Sequence, residues 1–271
     1  MSLWEATVLG LIQGLTEFLP VSSSGHLVIV RHLLGITTEA LTFDVFVHFG
    51  SLVAVVIFFR RELLQVAAGV LGLRYPGAEE GRRLFWLLVV ASVPVAVVGL
   101  VLRDAIEQAF SSVLVPAVML FVTGALLMFA DRSAGRRPGT GQGTRPEMIH
   151  ALAMGVGQAL AVLPGLSRSG TTMSAGILAG LNRHGAARFA FLMSVPAILG
   201  ATFLEMASLL GEGAAAEGAA VLLAGTLSAA VSSYMAIALL LRFLQRGRLA
   251  PFAYYTWLAG AVVLGLTLLG R

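Results

Sequence analysis

Two short segments hold most of the residues whose types and spacing could do chemistry. The first reads Gln13-Gly-Leu-Thr-Glu17-Phe-Leu-Pro-Val-Ser22-Ser23-Ser24-Gly25-His26. Gln13 and Glu17 stand i and i+4, so a helix would point both into one cavity. A carboxylate inside a membrane helix costs about 2.5–3.5 kcal/mol unless a partner or water relieves it. That cost marks Glu17 as functional, the alternative being a satisfied structural carboxylate. Pro20 ends the helix, and Ser22 to Gly25 form a tight polar loop leading into a helix that begins near His26. Amides and hydroxyls at such a start favour an anion, although a serine N-cap cluster alone would look the same. His26 adds an imidazole expected within reach of the carboxylate, a natural proton shuttle.

The second segment reads Pro164-Gly-Leu-Ser167-Arg168-Ser169-Gly170-Thr171-Thr172. Arg168 is the one arginine expected at membrane depth, and a buried guanidinium needs an anion. With Ser167, Ser169, Gly170 and Thr172 around it, the segment reads as a phosphate cradle, because the guanidinium fork matches phosphate oxygens bidentately. The rival reading is a structural Arg168–Glu17 salt bridge. A carboxylate, serine hydroxyls, a histidine and an arginine cradle together suit hydrolysis of a phosphoryl group. A site inside the bilayer suits a lipid phosphate. Asp44 and His48, another i, i+4 pair, could ligate a metal but read more readily as a local hydrogen bond.

The elements that must position these residues are apolar. The chain has 271 residues, 58% hydrophobic and only 12% charged, with a mean hydropathy of +0.90. Soluble domains carry about a quarter charged residues, so this composition describes an all-α polytopic membrane protein. At about 20 residues per crossing the length leaves no room for a separate soluble domain. The absence of cysteine removes disulfides, thiolate metal sites and a cysteine nucleophile. All 18 basic residues are arginine and most sit in short loops beside apolar runs, which fits membrane topology and anionic headgroups far better than a nucleic-acid patch, so no nucleic-acid partner is expected. The first apolar stretch lacks a basic leader and carries Glu5, Gln13 and Glu17, so it is expected to belong to the fold and not to a signal peptide.

Apolar runs fall at 3–19, 26–34, 43–59, 84–102, 113–130, 147–163, 171–181, 188–209, 219–241 and 252–270. The pairs 3–19 with 26–34 and 147–163 with 171–181 each join one adequate helix to one too short to span, the pattern of a re-entrant hairpin. Loops 60–83, 131–147 and 242–251 carry the arginines and are assigned to the cytoplasm. Loops 103–112 and 210–218 hold Arg103 against Asp104, Glu107, Glu212 and Glu217 and are assigned outside. An offset of 145 aligns Gly10, Gln13, Leu15, Ser22, Ser24 and Gly25 with Gly155, Gln158, Leu160, Ser167, Ser169 and Gly170. Three crossings separate the copies, so the second is inverted. The expected architecture is one integral membrane domain over 1–271, with repeat 1 over about 1–130 and repeat 2 over about 147–271. Each repeat is a re-entrant helix hairpin plus three transmembrane helices, in inverted topology.

With QGLTEFLPVSSSGH over Gln13–His26 and PGLSRSGTT over Pro164–Thr172, the chain resembles the undecaprenyl-diphosphate phosphatase family associated with bacitracin resistance over essentially its whole length. The resemblance implies hydrolysis of undecaprenyl diphosphate to the monophosphate in the bacterial inner membrane, recycling the carrier lipid for peptidoglycan synthesis. It implies Glu17, Ser23, His26 and Arg168 as catalytic residues, with Gln13, Ser22, Ser24, Ser167, Ser169, Gly170 and Thr172 lining the phosphate. Ser23 is the preferred nucleophile and His26 its competitor or the acid–base group. The resemblance also implies Mg²⁺ or Ca²⁺, for which Glu17 is the expected protein ligand, since Gln13 stands where some members carry glutamate. The implied partners are a polyprenyl diphosphate and membrane lipids, with a homodimer left open and the site opening to the periplasm. A lipid-phosphate flippase or transporter built on the inverted repeat is the competing function. SSSGH and SRS also echo the acid-phosphatase-like lipid phosphatases, but the histidine and aspartate those enzymes need after the arginine are missing here.

Overall fold

The structure is a computed structural model that describes residues 1–36, 41–110, 114–135, 143, 145–212 and 218–268. Of the charges in the loops given above, Arg136, Arg137 and Glu217 lie outside the described residues, as do the side chains of Arg103, Asp104, Glu107 and Glu212. The described residues form twelve helices and no strand beyond an isolated bridge between Gly143 and Leu181.

The first apolar pair folds as α1 (Leu3–Phe18) and α2 (Ser23–Leu33), the second as α8 (Met148–Leu160) and α9 (Arg168–Ala179). Helix α1 starts in a capping box between Ser2 and Glu5 and ends at an extended Leu19, the conformation that the following Pro20 imposes on its neighbour. Helix α9 starts on Ser167, whose hydroxyl accepts the Gly170 N–H. Each hairpin's second helix has only 11 or 12 residues, about 16–18 Å at 1.5 Å per residue and far short of the bilayer core.

The remaining apolar runs become α3 (Leu41–Phe58), α5 (Ala78–Val101), α7 (Leu114–Gly135), α10 (Arg183–Glu212), α11 (Ala219–Leu244) and α12 (Ala250–Leu268). Five of these six are long and apolar enough to cross a membrane on their own; α3 qualifies only together with α4 (Arg60–Leu71), which bends away from it by 80°. A soluble protein would not tolerate the outer stripe of α11, where Leu223, Leu227, Val231, Met235 and Leu239 recur every fourth residue and are each more than half exposed. Facing lipid, the stripe is at home.

Two segments read as loops are helical. Arg60–Leu71 is α4, and Arg103–Phe110 is a short helix α6. Helix α4 carries charge at its start and apolar residues along one face, and it packs so tightly on α5 that a Cβ on Gly81 would meet the Gln65 carbonyl at 2.0 Å. Its arginines disguise it, because a charged amphipathic helix too short to span gives no apolar run.

Helix α1 lies against α11 and α8 against α5, so the first helix of each hairpin packs on a long helix from the other half of the chain. Glycines allow the close approach: a Cβ on Gly10 would sit 2.3 Å from the Gly225 carbonyl oxygen, and one on Gly155 would sit 2.7 Å from that of Ala91. The main core is shared as well, joining Phe18 of α1, Leu87 of α5, Met154 of α8, Met193 of α10 and Ile237 of α11.

Candidate active site

The two hairpin loops meet at Glu17. Its carboxylate is buried; Oε2 accepts from Ser23 Oγ at 2.6 Å and from Gln13 Nε2 at 3.0 Å, and Oε1 accepts from the Arg168 guanidinium. The salt bridge weighed above as a rival to phosphate binding is therefore present, and it joins the two hairpins. Ser23 and Arg168 occupy the first positions of α2 and α9. Two helix N-termini, each with a partial positive charge, thus converge with a guanidinium on one carboxylate, a setting that favours an incoming anion.

Around this centre the loops hold each other. Ser22 Oγ and Ser24 Oγ lie 3.3 Å apart, and the Gly165 N–H points at Ser24 Oγ at 3.5 Å. Ser167 Oγ and Ser169 Oγ lie 3.2 Å apart, and the Ser169 hydroxyl donates to the Leu19 carbonyl at 2.9 Å, a second tie between the hairpins. Gly165 has φ of +86°, and a Cβ there would strike the Pro116 carbonyl oxygen at 2.3 Å, so the PG pair of the second motif is needed for the turn. Thr172 turns its hydroxyl back onto the Arg168 carbonyl at 2.7 Å.

His26 is placed differently from the sequence expectation. Among the described residues no hydrogen bond links it to Glu17. Its Nδ1 lies 2.7 Å from the Ser22 carbonyl oxygen and its Nε2 2.7 Å from the Tyr255 hydroxyl. The imidazole facing Glu17 belongs to His48, with Nε2 3.9 Å from Oε2. His48 Nδ1 contacts the Asp44 backbone carbonyl at 2.8 Å, while the Asp44 carboxylate pairs with Arg31. The local Asp44–His48 hydrogen bond is therefore present only through the Asp44 backbone, not through its carboxylate. Ser22 itself adopts φ of 70°, the one positive value for a non-glycine among the described residues; such strain persists where surrounding structure enforces it.

Sequence reasoning missed two residues here, Thr123 and Tyr255, and did not place a third, His48, beside Glu17. Thr123 of α7 accepts the Ser167 N–H at 3.0 Å, while its own hydroxyl donates to the Met119 carbonyl at 3.0 Å with the Gly165 carbonyl 3.4 Å away, bracing the cradle. His48 lies on α3 and Tyr255 on α12, and only the folded packing brings them to the hairpins. A lone threonine or tyrosine in an apolar helix carries no local signal.

No group of three or more His, Cys, Asp or Glu side chains able to hold a metal occurs among the described residues. One feature does fit an oxygen-seeking cation. Gln13 Oε1 is buried without a hydrogen-bond partner, on the amide whose nitrogen is bonded to Glu17. One carboxylate, an amide oxygen and a hydroxyl are hard donors, and Mg²⁺ typically takes one or two carboxylates with substrate phosphates and water.

The family model for bacitracin resistance protein BacA matches residues 6–262. The chain is 41% identical over 273 residues to an undecaprenyl-diphosphatase of Pelobacter propionicus, covering 100% of this chain and 99% of the relative. It is 46% identical over 271 residues to an undecaprenyl-diphosphatase of Desulfosudis oleivorans, covering 96% and 97%. A third undecaprenyl-diphosphatase, from Geobacter sulfurreducens, is 42% identical over 266 residues, covering 97% and 98%.

Proposed function

From the premise that the chain belongs to the bacitracin resistance protein BacA family, we propose how its site carries out the family's reaction. The protein is a multi-pass membrane phosphatase that hydrolyses undecaprenyl diphosphate to undecaprenyl phosphate and inorganic phosphate. The reaction recycles the lipid carrier for peptidoglycan synthesis and accounts for bacitracin resistance.

The observation that carries the mechanism is the buried Glu17 carboxylate, joined on one oxygen to the Ser23 hydroxyl and on the other to Arg168. Ser23 is the nucleophile: its Oγ attacks the terminal phosphorus as its proton passes to Glu17 Oε2. The P–O bond to the bridging oxygen breaks, and that oxygen leaves on the lipid monophosphate. Arg168 turns from Glu17 to the phosphoryl oxygens as charge builds there, supported by Ser167, Ser169 and the amides around Gly170. Water then cleaves the Ser23 phosphoester, releases phosphate, and Ser23 recovers its proton. His26 stands three residues after Ser23, on the same face of α2, and takes the proton of that water on Nε2 as the Tyr255 hydroxyl leaves it. A divalent cation, Mg²⁺ or Ca²⁺, would rest on Glu17 and Gln13 Oε1 and would supply charge neutralisation to the diphosphate when bound.

Topology follows from the same reading. The two halves, about 1–130 and 147–271, are inverted repeats of one integral membrane domain; the reciprocal packing of α1 on α11 and α8 on α5 supports this. The arginine-rich ends face the cytoplasm, the site opens to the periplasm, and the membrane is the bacterial inner membrane. The flippase reading makes no use of the Ser23–Glu17 bond.

Phosphate release from undecaprenyl or farnesyl diphosphate by purified protein tests the activity, with Arg168→Ala as control. Rapid-quench mass spectrometry tests the mechanism: a transient mass gain on the Ser23 peptide supports it, and a gain on the His26 peptide transfers the nucleophile's role to His26.

A further inference from the structure

We propose that the arginine-rich end of the bundle carries a second anion site, separate from the hairpins: a cleft between α4, α5 and α10 that takes the headgroup phosphate of an anionic phospholipid.

The cleft encloses about 650 Å³, its open mouth included. Helix α4 lends it Glu62, α5 lends Glu80 and Arg83, α10 lends Arg188, and Arg145 reaches it from the segment before α8. Three guanidiniums against two carboxylates leave the lining one positive charge in excess. Arg188 donates to the Glu62 carboxylate, and its guanidinium lies over the Phe59 ring, 5.5 Å from the centroid. That group is fixed before any ligand arrives. Arg83 donates to the Pro146 carbonyl at 3.0 Å but reaches Glu80 only at 3.5 Å, an exposed pair that contributes little. Arg145 makes no hydrogen bond or ion pair among the described residues. A guanidinium has five N–H donors, so most of those in the cleft are free to meet an acceptor.

The order of the lining along the helices decides which anion fits. Following α5 inward, Glu80 and Arg83 give way to Leu84 and Leu87; following α10, Arg188 gives way to Phe189 and Leu192. Both helices are spans that begin at this end, so the cleft is charged at headgroup level and apolar toward the hydrocarbon. Trp86, exposed on α5 beside these residues, is of the type that settles at that level. Inorganic phosphate would leave the apolar end unfilled. A phospholipid fills both ends, and its phosphodiester brings the single negative charge that answers the single positive excess. Arginines that serve topology alone need neither a cleft nor a guanidinium seated on an aromatic ring. The cleft shares no residue with Glu17, Ser23 or Arg168, so the site stands whether or not the mechanism proposed above holds.

The test is native mass spectrometry of the delipidated full-length protein in detergent, titrated with phosphatidylglycerol, phosphatidylcholine or inorganic phosphate. Wild type is compared with Arg145→Gln, Arg83→Gln and Arg246→Gln, the last an exposed arginine outside the cleft. Arg145→Gln removes no contact within the protein, so its unfolding temperature should stay near wild type. We expect one phosphatidylglycerol to bind saturably, at least about tenfold more tightly than phosphatidylcholine or phosphate. Arg145→Gln and Arg83→Gln should each weaken it about tenfold, as for one charge-assisted hydrogen bond lost, and Arg246→Gln should leave it unchanged. The lipid should also stay bound when the hairpin site is filled with a non-hydrolysable diphosphonate analogue of farnesyl diphosphate. If the analogue displaces it, the lipid lies at the hairpins and the cleft assignment falls. Equal binding of phosphatidylcholine, or equal losses in Arg246→Gln and Arg145→Gln, would make the attraction general to the charged end and overturn the site. Phosphate binding as tightly as phosphatidylglycerol would overturn the assignment to a lipid.

Discussion

The two hairpins are built alike and equipped differently. Shifted by 145 residues, Gln13, Ser22, Ser24 and Gly25 of the first match Gln158, Ser167, Ser169 and Gly170 of the second, whereas Glu17, Ser23 and His26 fall on Val162, Arg168 and Thr171. The shared residues shape a tight turn and a helix N-terminus. The differing ones divide the labour: the first hairpin supplies an acceptor, a hydroxyl and an imidazole, the second supplies positive charge. One frame serves both because a helix start that suits an anion also suits the nucleophile that attacks it. Each arm is incomplete alone, and the Glu17–Arg168 pair is where they join.

The largest expected effect comes from the reacting arm. Ser23→Ala should reduce kcat by at least about 10³-fold, as for enzymes that lose a covalent nucleophile, with substrate still bound because the cradle is intact. Phosphate release measured beside binding of a non-hydrolysable diphosphonate checks this. A variant with a tenth of wild-type activity would return the nucleophile's role to His26 or water. The binding arm comes next. Arg168→Ala should lower kcat/KM by about 10²–10⁴-fold and also destabilise the fold, since removing one partner of a buried pair costs about 3–5 kcal/mol. Arg168→Lys keeps the charge but loses the fork, so it should recover stability better than activity. Full activity in Arg168→Lys would show that the fork geometry is not used.

Glu17 sharpens the comparison further, because it serves both arms. Glu17→Gln keeps the shape and an acceptor for Ser23 but cannot take its proton. We expect kcat to fall about 10²–10⁴-fold, the range for loss of a general base. An equal fall in Arg168→Lys and in the Glu17→Gln/Arg168→Lys double variant would mean that Glu17 acts only by holding Arg168. Non-additive losses, measured as a double-mutant cycle, would show the two coupled.

How much of this was legible in the sequence follows from locality. The hairpins, the six long helices and the two motifs could be read from runs of apolar residues and from polar exceptions inside them, because a charge at membrane depth is costly enough to stand out. Glu17, Ser23 and Arg168 were found that way, and they do meet. His26 was found but misplaced: spacing along α1 and α2 says it is near Glu17, while packing turns the ring toward Tyr255, 229 residues away in the chain. His48 takes the position beside Glu17 because α3 packs against α1, which no periodicity reveals. Helices α4 and α6 look like loops in the sequence because charge density marks a loop and a short surface helix alike.

The smallest effect tests whether the shared glutamines are equivalent. In the first hairpin Gln13 Nε2 donates to Glu17 at 3.0 Å. In the second, Gln158 is buried, and neither its nitrogen nor its oxygen has a hydrogen-bond partner. A buried polar group without a partner costs about 1–3 kcal/mol, and replacing it with an apolar group of similar size is often neutral or stabilising. Gln158→Leu should therefore unfold at the same or a higher temperature in detergent and hydrolyse farnesyl diphosphate at close to the wild-type rate. Gln13→Leu should lose activity, because it removes a donor from the base and the amide oxygen proposed for the cation. A Gln158→Leu protein that loses stability and activity together would mean that the amide finds a partner in the working enzyme, a water or the substrate's phosphate. The second hairpin would then hold polar machinery as well as charge, and the division between a reacting arm and a binding arm would have to be redrawn around Gln158.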